Sequence, residues 1–219
     1  MRFSLAIACD RPWLVLRLPG PHRLVSWSLN RPGFVDADTV AWREVGAREL
    51  TPELDPAAWF AREMAGAGLA EAVGMLTARN IASHVHRMAV VEGALAECVV
   101  TAGLNNGERV GTRHAAGLAL AGTVNIVCRS SRPLTDAALL EAASLVAQAR
   151  TVAILEAGYR RAGGPMVTGT GTDCIVMAAP LGEAPDAYAG MHTAIGEAIG
   201  ACVLEATRIA VAEWSAARG

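Results

Sequence analysis

The sequence contains no lysine: all 19 basic residues among its 219 are arginine. That excludes a Walker-type nucleotide loop, a pyridoxal Schiff base and a Ser–Lys nucleophile pair, each of which needs a primary amine. Excess charge is also scarce. A net charge of −2 gives no electrostatic footprint for nucleic acid or an anionic membrane. The five cysteines (Cys9, Cys98, Cys128, Cys174, Cys202) are odd in number and scattered, with no CxxC. A disulfide framework and a cysteine zinc site are thereby disfavoured, and reduced, mostly buried thiols are expected. Long apolar runs are missing as well. The longest uncharged stretch, Ala115 to Cys128, contains Asn125 and falls short of the about 20 apolar residues a bilayer requires. The opening "MRFSLAIACDRP" is apolar only briefly, Asp10 and Arg11 interrupt it, and no small-residue cleavage site follows. A soluble, cytoplasmic protein is expected, without nucleic-acid or membrane partners.

What is present is hydrophobic substance. Apolar residues make up 53% of the chain, which rules out disorder, and the length suits one domain over residues 1–219. The first third reads as short strands ("WLVLRL", "RLVSWSL", "DTVAWREV") punctuated by Pro, Gly, Asn and Asp. "DPAAWFAREMAG" reads as a helix with Asp55 as N-cap and Pro56 at its first position. "AVGMLTA", "HRMAVVEG", "LAECVVTAG" and "GTVNIVCR" read as further strands. Two long helices occupy the last third, one capped by Thr135 and closed by Gly158, the other running from His192 to Trp214. Gly196 and Gly200 leave a smooth face on the second, a hint of a homo-oligomer contact. Strands first and long helices late predict a layered α+β fold, with a mixed, largely antiparallel sheet packed by the two helices.

Several groups of residues could carry chemistry. "TGTGTD" (168–173) resembles a phosphate loop in composition, but a strand follows it rather than a helix N-terminus. An oxyanion or amide site fits better. Gly169 and Gly171 allow close approach, while Thr168, Thr170 and Thr172 in an extended segment would point one way with Asp173 at the rim. The alternative is a glycine turn whose threonines satisfy their own backbone. His192, at a helix start, would stay neutral and available as a base; local capping or packing is the alternative. Glu197 is five residues on, which is not the HExxH spacing. His84 and His86 sit two apart without an evident third ligand, so surface or packing roles are favoured over metal binding. Asn105 and Asn106 lie in a loop, where turn chemistry competes with substrate binding. Asn125 is an amide in an apolar strand, and it must find partners there. Trp13, Trp27, Trp42 and Trp59 could line a flat macrocycle site, with core packing the simpler expectation.

Read in order, "VGMLTA" (73–78), "TAGLNNGERVG" (101–111), "GTVNIV" (122–127), "TGTGTD" (168–173) and "YAGMHTAIGEAIG" (188–200) resemble the signature blocks of the adenosylcobinamide amidohydrolases, corrinoid-salvage enzymes. The N-terminal "SWSLNRPGFVDADTVAWREV" is similar to the bacterial members, and the resemblance covers most of the chain. It implies a hydrolase that cleaves aminopropanol from adenosylcobinamide and releases adenosylcobyric acid. One departure is Ala194, where family members often carry lysine two residues after the histidine of the last block. On this reading His192 serves as general base and then acid, with Asp173 or Glu197 orienting it. The 168–172 segment, with Thr170 as a possible nucleophile, receives the carbonyl oxygen, and Asn105, Asn106 and Asn125 hold peripheral amides. No cofactor is specifically expected. A metal-bound hydroxide held by His84, His86 or His192 and a carboxylate is the variant. The competing class is a corrinoid-binding protein without turnover.

Overall fold

The computed structural model describes residues 4–46, 49–51, 53–112, 122–161 and 164–218. Residues 115–121 of the long uncharged run lie outside them. Near the N-terminus, alternating apolar residues form β1 (Ala6–Asp10), β2 (Trp13–Ser26) and β3 (Gly33–Glu44). The two short strands expected in "WLVLRL" and "RLVSWSL" are one strand. Pro19, Gly20 and Pro21 interrupt its ladder with β3 between Arg17 and His22 without ending it. Helix α1 (Pro56–Gly66) follows, and Asp55 Oδ1 accepts from Ala57 and Ala58 N–H as the expected N-cap. Then come β4 (Val73–Thr77), β5 (Val85–Val91), β6 (Ala94–Ala102), β7 (Gly107–Glu108) and β8 (Val124–Ser130). Helix α2 (Asp136–Glu156), β9 (Gly169–Thr170), β10 (Cys174–Pro180) and α3 (Ala194–Ala216) complete the chain.

The main sheet runs β4-β3-β2-β10-β8-β6-β5, with β1 beside β2. Only β3–β4 and β8–β10 pair in parallel, so the sheet is mixed and largely antiparallel, as predicted. Strand alternation sorts its side chains between two cores. Ile126, Cys128, Ile175 and Met177 face α2 and α3. Their neighbours Val127 and Val176 turn the other way and meet Leu14, Leu16, Trp42, Val73 and Met75. The sheet is therefore curled, with the β2–β4 half lying over the β10–β8–β6 half. On the outside of the curl, α1 packs Phe60 and Met64 against Ala41. Gly74 is required there, because a Cβ would sit 2.6 Å from the Phe60 ring.

Helix α2 is the one described helix long and apolar enough to cross a bilayer by length and composition. It packs against α3 and β10. Thr193, not His192, caps α3, accepting from Gly196 N–H at 3.0 Å. Of the two glycines, Gly196 serves close approach within the chain: a Cβ there would lie 2.0 Å from Gly190 O, whereas one at Gly200 meets nothing within 4 Å.

Candidate functional site

The loops holding "GLNNGERVG" and "TGTGTD" are stitched together. Strands β7 and β9 pair, matching Gly107 with Thr170 and Glu108 with Gly169. Thr168 extends the seam: its N–H donates to Glu108 O at 2.8 Å, and its hydroxyl accepts from Val110 N–H at 2.8 Å. Gly107 permits the contact, since a Cβ would lie 2.9 Å from Val167 Cγ1.

The expected convergence of the three threonine hydroxyls is not found. The extended stretch is only two residues long, and a turn follows at Gly171 and Thr172. Each hydroxyl takes a separate partner: Thr168 at the seam, Thr170 on Asp173 Oδ1, and Thr172 on Gly122 O at 2.8 Å. The local-turn alternative describes Thr170 alone, which bonds within the loop.

Asp173 is a hub. Its Oδ1 accepts from Val124 N–H at 2.9 Å and from the Thr170 hydroxyl. Its Oδ2 accepts from Thr170 N–H at 2.9 Å and from Arg150 Nη1 at 2.8 Å. Its carbonyl takes the Trp27 indole N–H at 2.6 Å. The carboxylate side chain is 7% exposed, with every oxygen doubly engaged. Such a group fixes β8, α2 and the loop relative to one another, and it is poorly placed to take a proton from water.

Beside this hub a cleft of about 680 Å³ opens at the end of the curled sheet. Trp27, Leu29, Leu50, Met75 and Leu76 give it apolar surface, and Trp27 is 54% exposed. Asn106, Thr123, Asn125, Thr172 and Asp173 supply polar surface. Asn125, fully buried, donates to Leu76 O at 2.7 Å and accepts from the Thr123 hydroxyl at 3.1 Å. That bond ties β8 to β4 across the curl, which is the structural network a buried amide requires. The Thr123 hydroxyl also lies 2.8 Å from Thr172 O. Cys174, at the start of β10, borders the cleft too, but burial and then the Asp173 charge push its thiol up to about 12, so it is not a thiolate nucleophile.

The other sequence candidates lie elsewhere. His192 is exposed and does not line the cleft. The turn before α3 is anchored near the start of α2: Asp186 N–H donates to Pro133 O, and Ala189 N–H to Glu141 Oε2. Arg150, which holds Asp173, is about 13 Å further along the α2 axis than Glu141, at 1.5 Å per residue. The structure therefore does not bring His192 to Asp173, and Glu197, exposed on the first turn of α3, stays with His192. The expected pairing of His192 with Asp173 is corrected accordingly: β10 separates the two, with Asp173 before the strand and His192 in the turn beyond its far end. Asn105 accepts from Arg218, whose guanidinium stacks on Trp214, so it belongs to the C-terminal contact. His84 Nδ1 lies 2.8 Å from Ile81 O, and His86 Nε2 lies 2.8 Å from Glu97 Oε1. Among the described residues no group of three or more His, Cys, Asp or Glu side chains is arranged to hold a metal.

Missed from the sequence was the apolar half of the site, Leu29 and Leu50. Trp27, one of the four tryptophans considered for a macrocycle site, does line it, just past the end of β2. Of the other tryptophans, Trp42 is core, and Trp13 and Trp59 flank Arg43 at 5.8 and 5.5 Å.

Fold and cleft together define a layered α+β protein with a strand-end cleft lined by both apolar and polar side chains. Residues 2–219 match the family profile described as adenosylcobinamide amidohydrolase, and the chain belongs to that family. A Halobacterium salinarum protein named adenosylcobinamide amidohydrolase is 37% identical over 123 residues, covering 53% of this chain and 50% of that protein. An uncharacterised Methanocaldococcus jannaschii protein is 40% identical over 84 residues, covering 37% of this chain and 32% of its own length. The chain thus spans half or less of the curated relatives it matches. Among solved structures, a Burkholderia sp. beta-aminopeptidase aligns over 91% of this chain and 78% of its own, with TM-score 0.45 and 16% identity. A Pyrococcus horikoshii protein aligns over 92% and 77%, with TM-score 0.46 and 12% identity.

Proposed function

We propose that this protein hydrolyses the aminopropanol amide of adenosylcobinamide, yielding adenosylcobyric acid and aminopropanol. One observation carries the reading beyond family membership. The cleft brings exposed Trp27 and Leu29 together with the amides and hydroxyls of Asn106, Asn125 and Thr172. A corrinoid is a broad apolar ring edged with carboxamides, and it needs both kinds of surface at once. The ring edge lies on Trp27, Leu29 and Leu50, and the scissile side chain points toward the 171–173 turn.

In the reaction, water oxygen bonds to the carbonyl carbon, the C–N bond breaks, and the departing nitrogen takes a proton. The negative charge growing on the carbonyl oxygen needs donors held in place beforehand. Thr123 and Thr172 are the loop hydroxyls that line the cleft. The role falls to Thr172, whose hydroxyl exchanges its bond to Gly122 O for the carbonyl oxygen, and the Asp173 hub holds the turn that carries it. Asp173 acts here as a positioning residue. One observation favours the second reading, corrinoid binding without turnover: no histidine lines the cleft among the described residues, and the Asp173 carboxylate is fully engaged. Incubation with adenosylcobinamide and chromatographic assay for free aminopropanol separates the two. Release at catalytic protein concentration supports hydrolysis, and tight binding without release supports the binder.

A further inference from the structure

Asn106 presents a buried polar problem at the wall of the cleft. The residue is only 4% exposed and lines the cleft. Its Nδ2 reaches the Thr172 hydroxyl at 3.4 Å, but its Oδ1 is buried with no hydrogen-bond partner. Native structures leave few such acceptors unmet, and an unmet one in a binding site marks where a donor belongs. Backbone lies close on this side. Gly122 packs against it so closely that a Cβ would sit 2.6 Å from Oδ1, and the Gly107 N–H bond to Leu104 O, at 2.9 Å, closes the turn that carries it.

Building on the proposed reaction, we infer that Asn106 reads the N–H of the amide to be cleaved, and so makes the site prefer the substrate amide over the acid it becomes. A secondary amide brings the N–H donor that Oδ1 lacks, and rotation about χ2 turns the side-chain amide toward it. The carboxylate product has no hydrogen to give, and its oxygen would be set against the Asn106 carbonyl. A site built around such a bond rejects the analogue lacking the donor far more strongly than an apolar pocket does. Without substrate, Nδ2 reaches the Thr172 hydroxyl at 3.4 Å, so the residue that reads the N–H lies beside the one placed at the carbonyl. Asn106 is thus a specificity-determining residue that also speeds release of the acid.

The test compares adenosylcobinamide with adenosylcobyric acid, followed by stopped-flow quenching of tryptophan fluorescence within the first turnover. The wild type is expected to favour the amide at least about tenfold. Asn106→Asp, which keeps an acceptor, should retain that preference. Asn106→Leu should bring the two affinities within about threefold; Asn106→Ala gives the same comparison if the leucine variant fails to fold. Equal weakening of both ligands, with the preference intact, would overturn the inference while leaving the hydrolase reading in place. Failure of the wild type to bind either corrinoid would overturn both.

Discussion

Replacing Asp173 by asparagine separates positioning from chemistry. The carboxylate and Arg150 are 7% and 15% exposed, and their ion pair measures 2.8 Å. Asparagine keeps one carbonyl acceptor but leaves the Arg150 charge stranded, and Arg150 Nε already has no partner. Breaking a buried pair from one side costs about 3–5 kcal/mol. With part of the Thr170 and Val124 bonding retained, the expected loss is about 3 kcal/mol. For a chain of this size that is a drop of roughly 6–12 °C in Tm, at about 2–4 °C per kcal/mol. Urea unfolding of the wild type, Asp173→Asn, Arg150→Met and the double variant gives the assay. Removing the stranded charge should make the double variant at least about 1 kcal/mol more stable than the sum of the single losses requires. An Asp173→Asn loss below about 1 kcal/mol, or strict additivity in the cycle, would refute the hub as drawn.

Three further outcomes are expected. Gly196→Ala places a Cβ 2.0 Å from a backbone oxygen that cannot swing aside, so it should lose about 2–3 kcal/mol in thermal melts, while Gly200→Ala should lose nothing. Glu97 is buried, and burial alone would raise its carboxyl; the bonds with His86, Ser4, Arg129 and Leu5 N–H outweigh this and bring it to about 2 from 4.5. A depressed acid contributes stability that is full above its ordinary value and lost as pH falls. Wild-type unfolding free energy should therefore fall more steeply than that of Glu97→Gln between pH 4.5 and 2, and parallel urea titrations would contradict this. With its thiol pushed up to about 12, Cys174 should resist iodoacetamide at neutral pH, and Cys174→Ser should keep its aminopropanol release; prompt inactivation by the reagent would show otherwise.

The elements were legible where local signals sufficed. Asp55, Thr135 and Gly158 marked helix ends because capping is a matter of a few neighbouring atoms. The division of β2 was misread because Pro19 and Pro21 break a ladder without ending a strand, and the unbroken antiparallel partner β3 is not visible locally. The site was half legible. Asn106, Gly171, Thr172 and Asp173 do share a cleft, and Asn125 does carry a buried network. His192 misled because the signature blocks give order along the chain and not distance across it: β10 carries the chain from Asp173 to the far end of the sheet before the turn that holds His192. Leu29 and Leu50 gave no local signal, since only the folded chain brings them to the same cleft.

The proposed hydrolysis places amide cleavage in the strand-end cleft and not at the exposed imidazole. Initial rates of aminopropanol release from adenosylcobinamide by His192→Ala and Thr172→Val test it side by side. The cleft assignment predicts that the first stays within about twofold of wild type and the second falls on the order of a hundredfold. Loss of release in His192→Ala alongside wild-type release in Thr172→Val would contradict it.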